Sequence, residues 1–230
     1  MEAALATGAP LRVLLLARDA PAAARALAER ARAAGARVLP ASANDLRRMA
    51  RPGSPGAGGL LALVGPDPSA DPAAALAGGG AAWLLAGVAY AGNAGYAIRT
   101  AEVSGADAIF LDAALDPEGR RRALRASMHA ERFFPVHWRP AGEVLDAARA
   151  AGRRLVAVED VGLHAPWEQD LRGRVLLVIG GEREGLDPRL LARCDAVLRV
   201  PMAGFVPSYN LQAAMAAVAA ERLRQEASPD

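Results

Sequence analysis

"GNAGYAIRTAEVSGADAIFLD", residues Gly92–Asp112, decides how this chain is expected to fold. It follows the apolar stretch WLLAGVA at 83–89 and closes on a second one, AIFLD at 108–112. Glycines, an asparagine and an arginine sit where the first strand hands over to a helix, and the second strand ends in Asp112. A strand, a crossover helix and a second strand make a parallel βαβ unit, the opening of a nucleotide-binding fold. The usual dinucleotide turn needs G-x-G-x-x-G between strand and helix, with an acid about 20 residues further on. Asp112 has that spacing, but the glycines here are Gly87, Gly92 and Gly95, with no G-x-G at the turn. An NAD-type oxidoreductase is therefore a poor match, and Asn93 and Arg99 need another use.

Outward from this unit the alternation continues. FPVHW (134–138), RLVAVE (154–159), RVLLVIG (174–180) and AVLRVPM (196–202) read as strands. Helices are expected near 118–131, 141–151 and 186–194, with a last one from about 210 to 226. The pattern predicts an α/β domain with a mostly parallel sheet covered by helices on both faces. Upstream lies a smaller α/β set: strands at 11–17, 36–42 and 58–65, a helix over 21–34, and a short helix for which Asn44 offers an N-cap. "GPDPSADP", Gly65 to Pro72, carries three prolines in eight positions and reads as a break. The domains are thus expected at 1–66 and 81–230, with a linker over 67–80.

Composition narrows the classes. Apolar residues make up 53% and charged residues 23% of 230 positions, as in soluble globular proteins. No apolar run approaches the length of a membrane span, and residues 1–10 lack the features of a signal peptide. The lone Cys194 allows no internal disulfide, which suits a reducing cytoplasm. All 27 basic residues are arginine. Residues 1–66 hold nine of them against four acids, a net of +5, whereas residues 67–230 hold 18 against 21, a net of −3. A basic N-terminal part facing an acidic remainder points to a polyanion such as RNA, although a solvated basic helix face has the same composition.

Two further groups carry candidate chemistry. In IGGEREGL, 179–186, a strand ends at Gly180 and Gly181, which would let a ligand approach the backbone; Glu182 follows. Val200-Pro201-Met202 ends the next strand, where proline stops ladder pairing. In GFVPSYNLQ, 204–212, Ser208 and Asn210 precede the final helix and read equally well as helix caps.

Taken in order, N-x-G-x-x-x-R-T-A from Asn93, G-x-E-x-x-G-L from Gly180 with V-P-M after it, and S-x-N before a helix ending E-x-x-R-Q closely resemble the SpoU/TrmH family. These are ribose 2′-O-methyltransferases of the SPOUT class, which use S-adenosylmethionine on RNA. The resemblance covers residues 83–226. It implies a C-terminal trefoil knot, a homodimer that completes the site across its interface, and an N-terminal RNA-binding domain of ribosomal-protein L30e-like type. For residues 1–66 the likeness is looser, since "GSPGAGGLLALV" stands where relatives often carry a His-Gln-Gly pattern. The implied substrate is ribosomal or transfer RNA, with no metal and no membrane. By the same resemblance Arg99 activates the hydroxyl and holds the neighbouring phosphate, while Asn93, Glu182, Ser208 and Asn210 supply the other polar groups. Gly180, Gly181, Val200, Met202, Tyr209 and Leu211 would hold the cofactor. An arginine, with a pKa above about 12, serves better as an electrostatic and orienting group than as a base. Glu182 is expected to anchor Arg99 or Asn93.

The chain departs from its relatives at Ala91-Gly92, where Asp-Pro is usual, and at Tyr209 and Leu211-Gln212, where Leu and Val-Ser are usual. These departures keep a rival reading alive, an RNA-binding or ribosome-assembly protein without catalysis. Elsewhere, His129, His137 and His164 share no ligand spacing, and Arg120–Arg122 with Arg125 read as a solvated face or an RNA contact. His129, in Ser127-Met128-His129, could face the site, and Cys194 reads as a small buried apolar residue. Trp83, Trp138 and Trp167 are expected to serve packing.

Overall fold

A computed structural model describes residues 11–50, 58–63, 65–206 and 208–228. The chain divides into two compact units, Met1–Gly65 and Pro66–Asp230. Residues 1–10, which lack the features of a signal peptide, and residues 53–57 and 64 of the glycine-rich stretch lie outside the described residues.

In the first unit, β1 (Val13–Ala17) lies between β2 (Arg37–Ala41), to which it is parallel, and β3 (Leu60–Leu63), to which it is antiparallel. Val13, Leu14 and Leu15 are buried along with Ala24, Ala28 and Ala31 of α1 (Ala22–Ala33) and Leu46 of α2 (Ala43–Met49). Ser42, not Asn44, caps α2. Its Oγ accepts from the Asp45 N–H at 3.1 Å, and the Asp45 carboxylate accepts from the Ser42 N–H at 3.3 Å. That reciprocal capping box satisfies two donors, which a lone asparagine two positions later cannot match. All eight arginines among the described residues of this unit are exposed.

The second unit, from Pro66, contains the whole segment expected as a linker. Pro72–Leu76 forms a short helix, α3, capped by Asp71, whose carboxylate accepts from the Ala74 N–H at 2.8 Å. Proline at the first helical position starts a helix rather than breaking it, because the N–H it lacks would have had no partner there. Leu76 is 1% exposed. The Arg153 side chain, fully buried, fastens this segment down. It donates to the carbonyls of Leu76, Gly78, Gly80 and Val175 at 2.6–3.1 Å, and to Asp107 Oδ2 at 2.7 Å.

Six strands, all paired in parallel, follow the order β6-β5-β4-β8-β7-β9. They are β4 (Ala82–Val88), β5 (Ala108–Ala113), β6 (Val136–Trp138), β7 (Arg154–Val158), β8 (Val175–Gly180) and β9 (Ala196–Leu198). The alternation of β4 side chains sorts the two faces. Trp83 and Leu85 join the layer of α4 (Ala91–Val103), α5 (Pro117–Ala126) and α8 (Leu211–Ala227). Ala82, Leu84 and Ala86 join α3 and α6 (Ala141–Ala150). Asp112, placed like a dinucleotide ligand, instead accepts from the Ala141 N–H at 2.9 Å and so satisfies the start of α6.

Three boundaries differ from the sequence expectation. The helix expected over 118–131 stops at Ala126, because Met128 and His129 adopt left-handed backbone with φ 59° and 58°. The strand expected over 196–202 stops at Leu198, and the residues leading to Pro201 form the loop that borders the site. The helix expected over 186–194 is the single turn α7 (Pro188–Leu191). Several smaller readings also resolve. Arg121 and Arg125 pair with Glu118 at 2.8 and 3.0 Å, and Arg120 lies 5.0 Å from the Trp138 ring centre. Trp83 is 1% exposed, whereas Trp167 is 59% exposed and no packing residue. No helix among the described residues is long and apolar enough to cross a membrane.

Candidate active site

In an open parallel sheet, loops that leave the carboxyl ends of strands running to opposite sides leave a crevice between them. Here β4 leads on to β5 and β6 on one side, while β8, β7 and β9 lie on the other. A cavity of about 580 Å³ opens at that divide. Its walls come from Tyr90 and Asn93 after β4, Val158 to Asp160 at the end of β7, Ile179 to Gly185 at the end of β8, Arg199, Val200 and Met202 after β9, and Ser208 to Leu211 before α8.

Glycines make this convergence possible by admitting backbone to backbone. A Cβ on Gly181 would sit 2.1 Å from Gly87 O, and one on Gly180 would sit 2.2 Å from Gly185 C. Gly87 itself has φ 85° at a bulge in β4. Gly180, Gly181 and Gly185 line the cavity, but their lost side chains make room for neighbouring chain segments rather than for a ligand. On the far side, Glu159 N–H donates to Leu198 O at 2.9 Å and Arg199 N–H donates to His164 O at 2.8 Å. A Cβ on Gly162 would lie 2.4 Å from Leu198 C. The chain leaving β9 thus passes tightly against the 159–164 loop.

Glu182 ties the second motif to the first. One oxygen accepts from Asn93 Nδ2 at 2.8 Å and the other from the Ala89 N–H at 3.0 Å. Its neighbour Arg183 reaches the same loop, onto Tyr90. Asn210 caps α8, its Oδ1 accepting from the Gln212 N–H at 3.2 Å, and also lines the cavity. Tyr209 Oη donates to Pro201 O at 3.2 Å, clasping the loop between the last two groups. Glu159 accepts from the Leu186 N–H at 2.5 Å, and burial, the largest influence on it, holds its carboxyl above the ordinary value of 4.5. Four carboxylates (Glu159, Asp160, Glu182, Glu184) face two guanidiniums (Arg183, Arg199) around the walls, so the cavity favours a cationic guest. Val158, Ile179, Val200, Met202 and Leu211 give it apolar lining, and the volume suits a small molecule.

Residues 82–220 match the SpoU rRNA Methylase family. The chain belongs to that family. Among curated relatives, the 23S rRNA (guanosine-2′-O-)-methyltransferase RlmB of Xylella fastidiosa is 32% identical over 159 residues, 65% of this chain and 61% of that protein. RlmB of Escherichia coli K12 is 27% identical over 150 residues, 62% of this chain and 59% of its own length. The chain therefore spans about three fifths of the curated relatives it matches. Among solved structures, the SpoU methyltransferase AviRb from Streptomyces viridochromogenes in complex with AdoMet superposes with a TM-score of 0.62 at 25% identity, over 100% of this chain and 88% of that one.

Of the residues that the SpoU resemblance singled out, Asn93, Glu182, Ser208 and Asn210 line one cavity, as do Gly180, Gly181, Val200, Met202, Tyr209 and Leu211. Arg99 does not. It is exposed on α4 and absent from the cavity wall, six residues beyond Asn93 and so about 120° away around the helix. Its charge is felt by Glu102, whose carboxyl burial raises and Arg99 lowers. His129 also stays outside the wall, exposed and bound to Glu131 at 3.0 Å. The Cys194 thiol, half-buried, is pushed up to about 11 by burial, which leaves almost no thiolate at neutral pH. Sequence reading missed Tyr90, Glu159, Asp160, Arg183 and Arg199 as wall residues. Glu159-Asp160 at a strand's carboxyl end was the available signal; for Arg183, its place between two motif positions hid it. Among the described residues no cluster of three or more His, Cys, Asp or Glu is disposed to hold a metal ion.

Proposed function

We propose that this chain transfers the methyl group of S-adenosylmethionine to a ribose 2′-hydroxyl of ribosomal or transfer RNA, as a cytoplasmic homodimer. The carrying observation is the convergence of all three motif loops on one acid-rich cavity of suitable volume. The residues present fit the cofactor: carboxylates suit its net positive charge, and Val200, Met202 and Leu211 offer apolar surface to its adenine. When bound, the sulfonium supplies an activated methyl group. The chain's own residues must then bring a ribose oxygen in line and exclude water. Asn93, locked by Glu182, presents a fixed amide to the cavity, and Asn210 and Ser208 add polar groups to its wall.

Arg99 lies on an exposed helix face, where a partner subunit or the RNA can reach it, and we assign it to orienting the phosphate and stabilising charge developing on the sugar oxygen. The tight passage of the chain after β9 against the 159–164 loop supports a trefoil knot there. The exposed arginines of the first unit support its role as an L30e-like RNA-recruiting domain. The decisive experiment incubates total RNA with the protein and tritiated S-adenosylmethionine, then maps the modified 2′-hydroxyl. Transfer of label to RNA is expected. A protein that binds RNA but neither binds nor uses the cofactor would belong to the non-catalytic class. In Arg99→Ala, transfer should fall at least about a hundredfold with cofactor binding preserved in calorimetry, since losing one charge-stabilising donor costs that much.

A further inference from the structure

The cavity rim carries a cation that the surrounding carboxylates leave available. Glu182 has committed both oxygens to Asn93 and Ala89. Arg183, next in the chain, is exposed; its guanidinium carbon lies 5.6 Å from the Tyr90 ring centre, and its Nη2 donates to Tyr90 Oη at 3.2 Å. That hydrogen bond is the largest influence raising the Arg183 pKa. A cation–π contact and a hydrogen bond to the same ring restrict the guanidinium and leave most of its five donors unspent. Both residues line the cavity, and Tyr90 is itself 49% exposed, so the pair stands at the mouth rather than in the depths. A planar, weakly hydrated fork at a cavity mouth matches a phosphate's paired oxygens. A polynucleotide offering one ribose to the cavity must lay its backbone across that mouth.

We propose that Arg183, braced by Tyr90, binds a phosphodiester flanking the target nucleotide and so sets that ribose over the cavity. The inference rests on the RNA methyltransferase reading. Arg183 touches substrate, whereas Tyr90 acts as a positioning residue through it.

The test uses the full chain with Arg183→Ala, Arg183→Lys and Tyr90→Phe, each checked for an unchanged thermal midpoint. Affinity for a labelled single-stranded oligoribonucleotide is measured across a salt series, S-adenosylmethionine binding by calorimetry, and kcat and KM on bacterial ribosomal RNA. In Arg183→Ala, RNA affinity should fall about tenfold, and the slope of log affinity against log salt should shrink by about one, as for a lost phosphate contact. Cofactor affinity should hold. Arg183→Lys should keep the slope but regain part of the affinity, because an ammonium cannot make the paired contact. Tyr90→Phe should raise KM for RNA with little change in kcat. Unaltered RNA affinity and slope in Arg183→Ala would overturn the proposal. So would weakened cofactor binding with RNA binding intact, which would assign the guanidinium to the cofactor's carboxylate. A wild-type protein that transfers no methyl defeats the functional reading instead, and the salt slope still reports on the phosphate contact.

Discussion

Glu159 keeps a carboxylate where water is scarce, and that has a measurable cost. Burial raises its pKa above 4.5, so between that value and its folded-state value the folded protein holds a proton that the unfolded chain has released. Stability is then withdrawn as pH rises through this window and stays lower above it. Glu159→Gln keeps an acceptor for the Leu186 N–H without the charge. Without ligand, its thermal midpoint should equal or exceed that of wild type at pH 8, with the gap closing near pH 4. An equal gap at both pH values would show that desolvation is not the cause. Keeping such a group makes sense if a cationic guest repays it. Glu182 differs: both of its oxygens are answered, and its work is to hold Asn93 still.

Among elements, the first motif turns out to be partly about packing. Gly95 faces α5 so closely that a Cβ would lie 2.4 Å from Ala123 O and 2.5 Å from Ala126 Cβ. Gly95→Val should cost about 1–3 kcal/mol in denaturant unfolding, beyond any change in helix propensity, because neither backbone can yield. The third motif's E-x-x-R-Q tail is also structural. Gln225 accepts from the Leu171 N–H at 2.8 Å and donates to Gln169 O at 3.0 Å, pinning the loop that leads into β8. Arg153 does similar work for α3, and Arg153→Met should cost about 3–5 kcal/mol, since it strands Asp107 and several carbonyls. The βα alternation was legible because buried parallel strands are short apolar runs, and β4 and β8 are apolar nearly throughout. Ends were less legible. The left-handed turn at Met128-His129 uses no glycine or asparagine, so nothing local announced it. Pro72 was read as a breaker because local rules do not reveal that Arg153, far along the chain, waits to receive the helix.

Across the whole molecule, charge is partitioned between the two units, and the described arginines of the first are all exposed. If that unit recruits RNA, reversing Arg30, Arg47 and Arg48 to glutamate should weaken RNA binding and lower the salt slope by about three, leaving cofactor affinity unchanged. An unaltered slope would move recruitment elsewhere. Asn93, Glu182, Ser208 and Asn210 could be named from sequence because motif order survived the chain's departures at Ala91, Gly92 and Tyr209, whereas the charged wall residues Glu159, Asp160, Arg183 and Arg199 were not. The place of Arg99 could not, because spacing along a helix does not say what lies beyond its exposed face. The cavity walls hang from the ends of four strands, β4, β7, β8 and β9, and glycines press those ends together without slack. A guest lodged there would act as a rivet through the sheet: amides in loops far apart in sequence should slow their hydrogen exchange together on binding, and a nick in any one loop should loosen the grip of all.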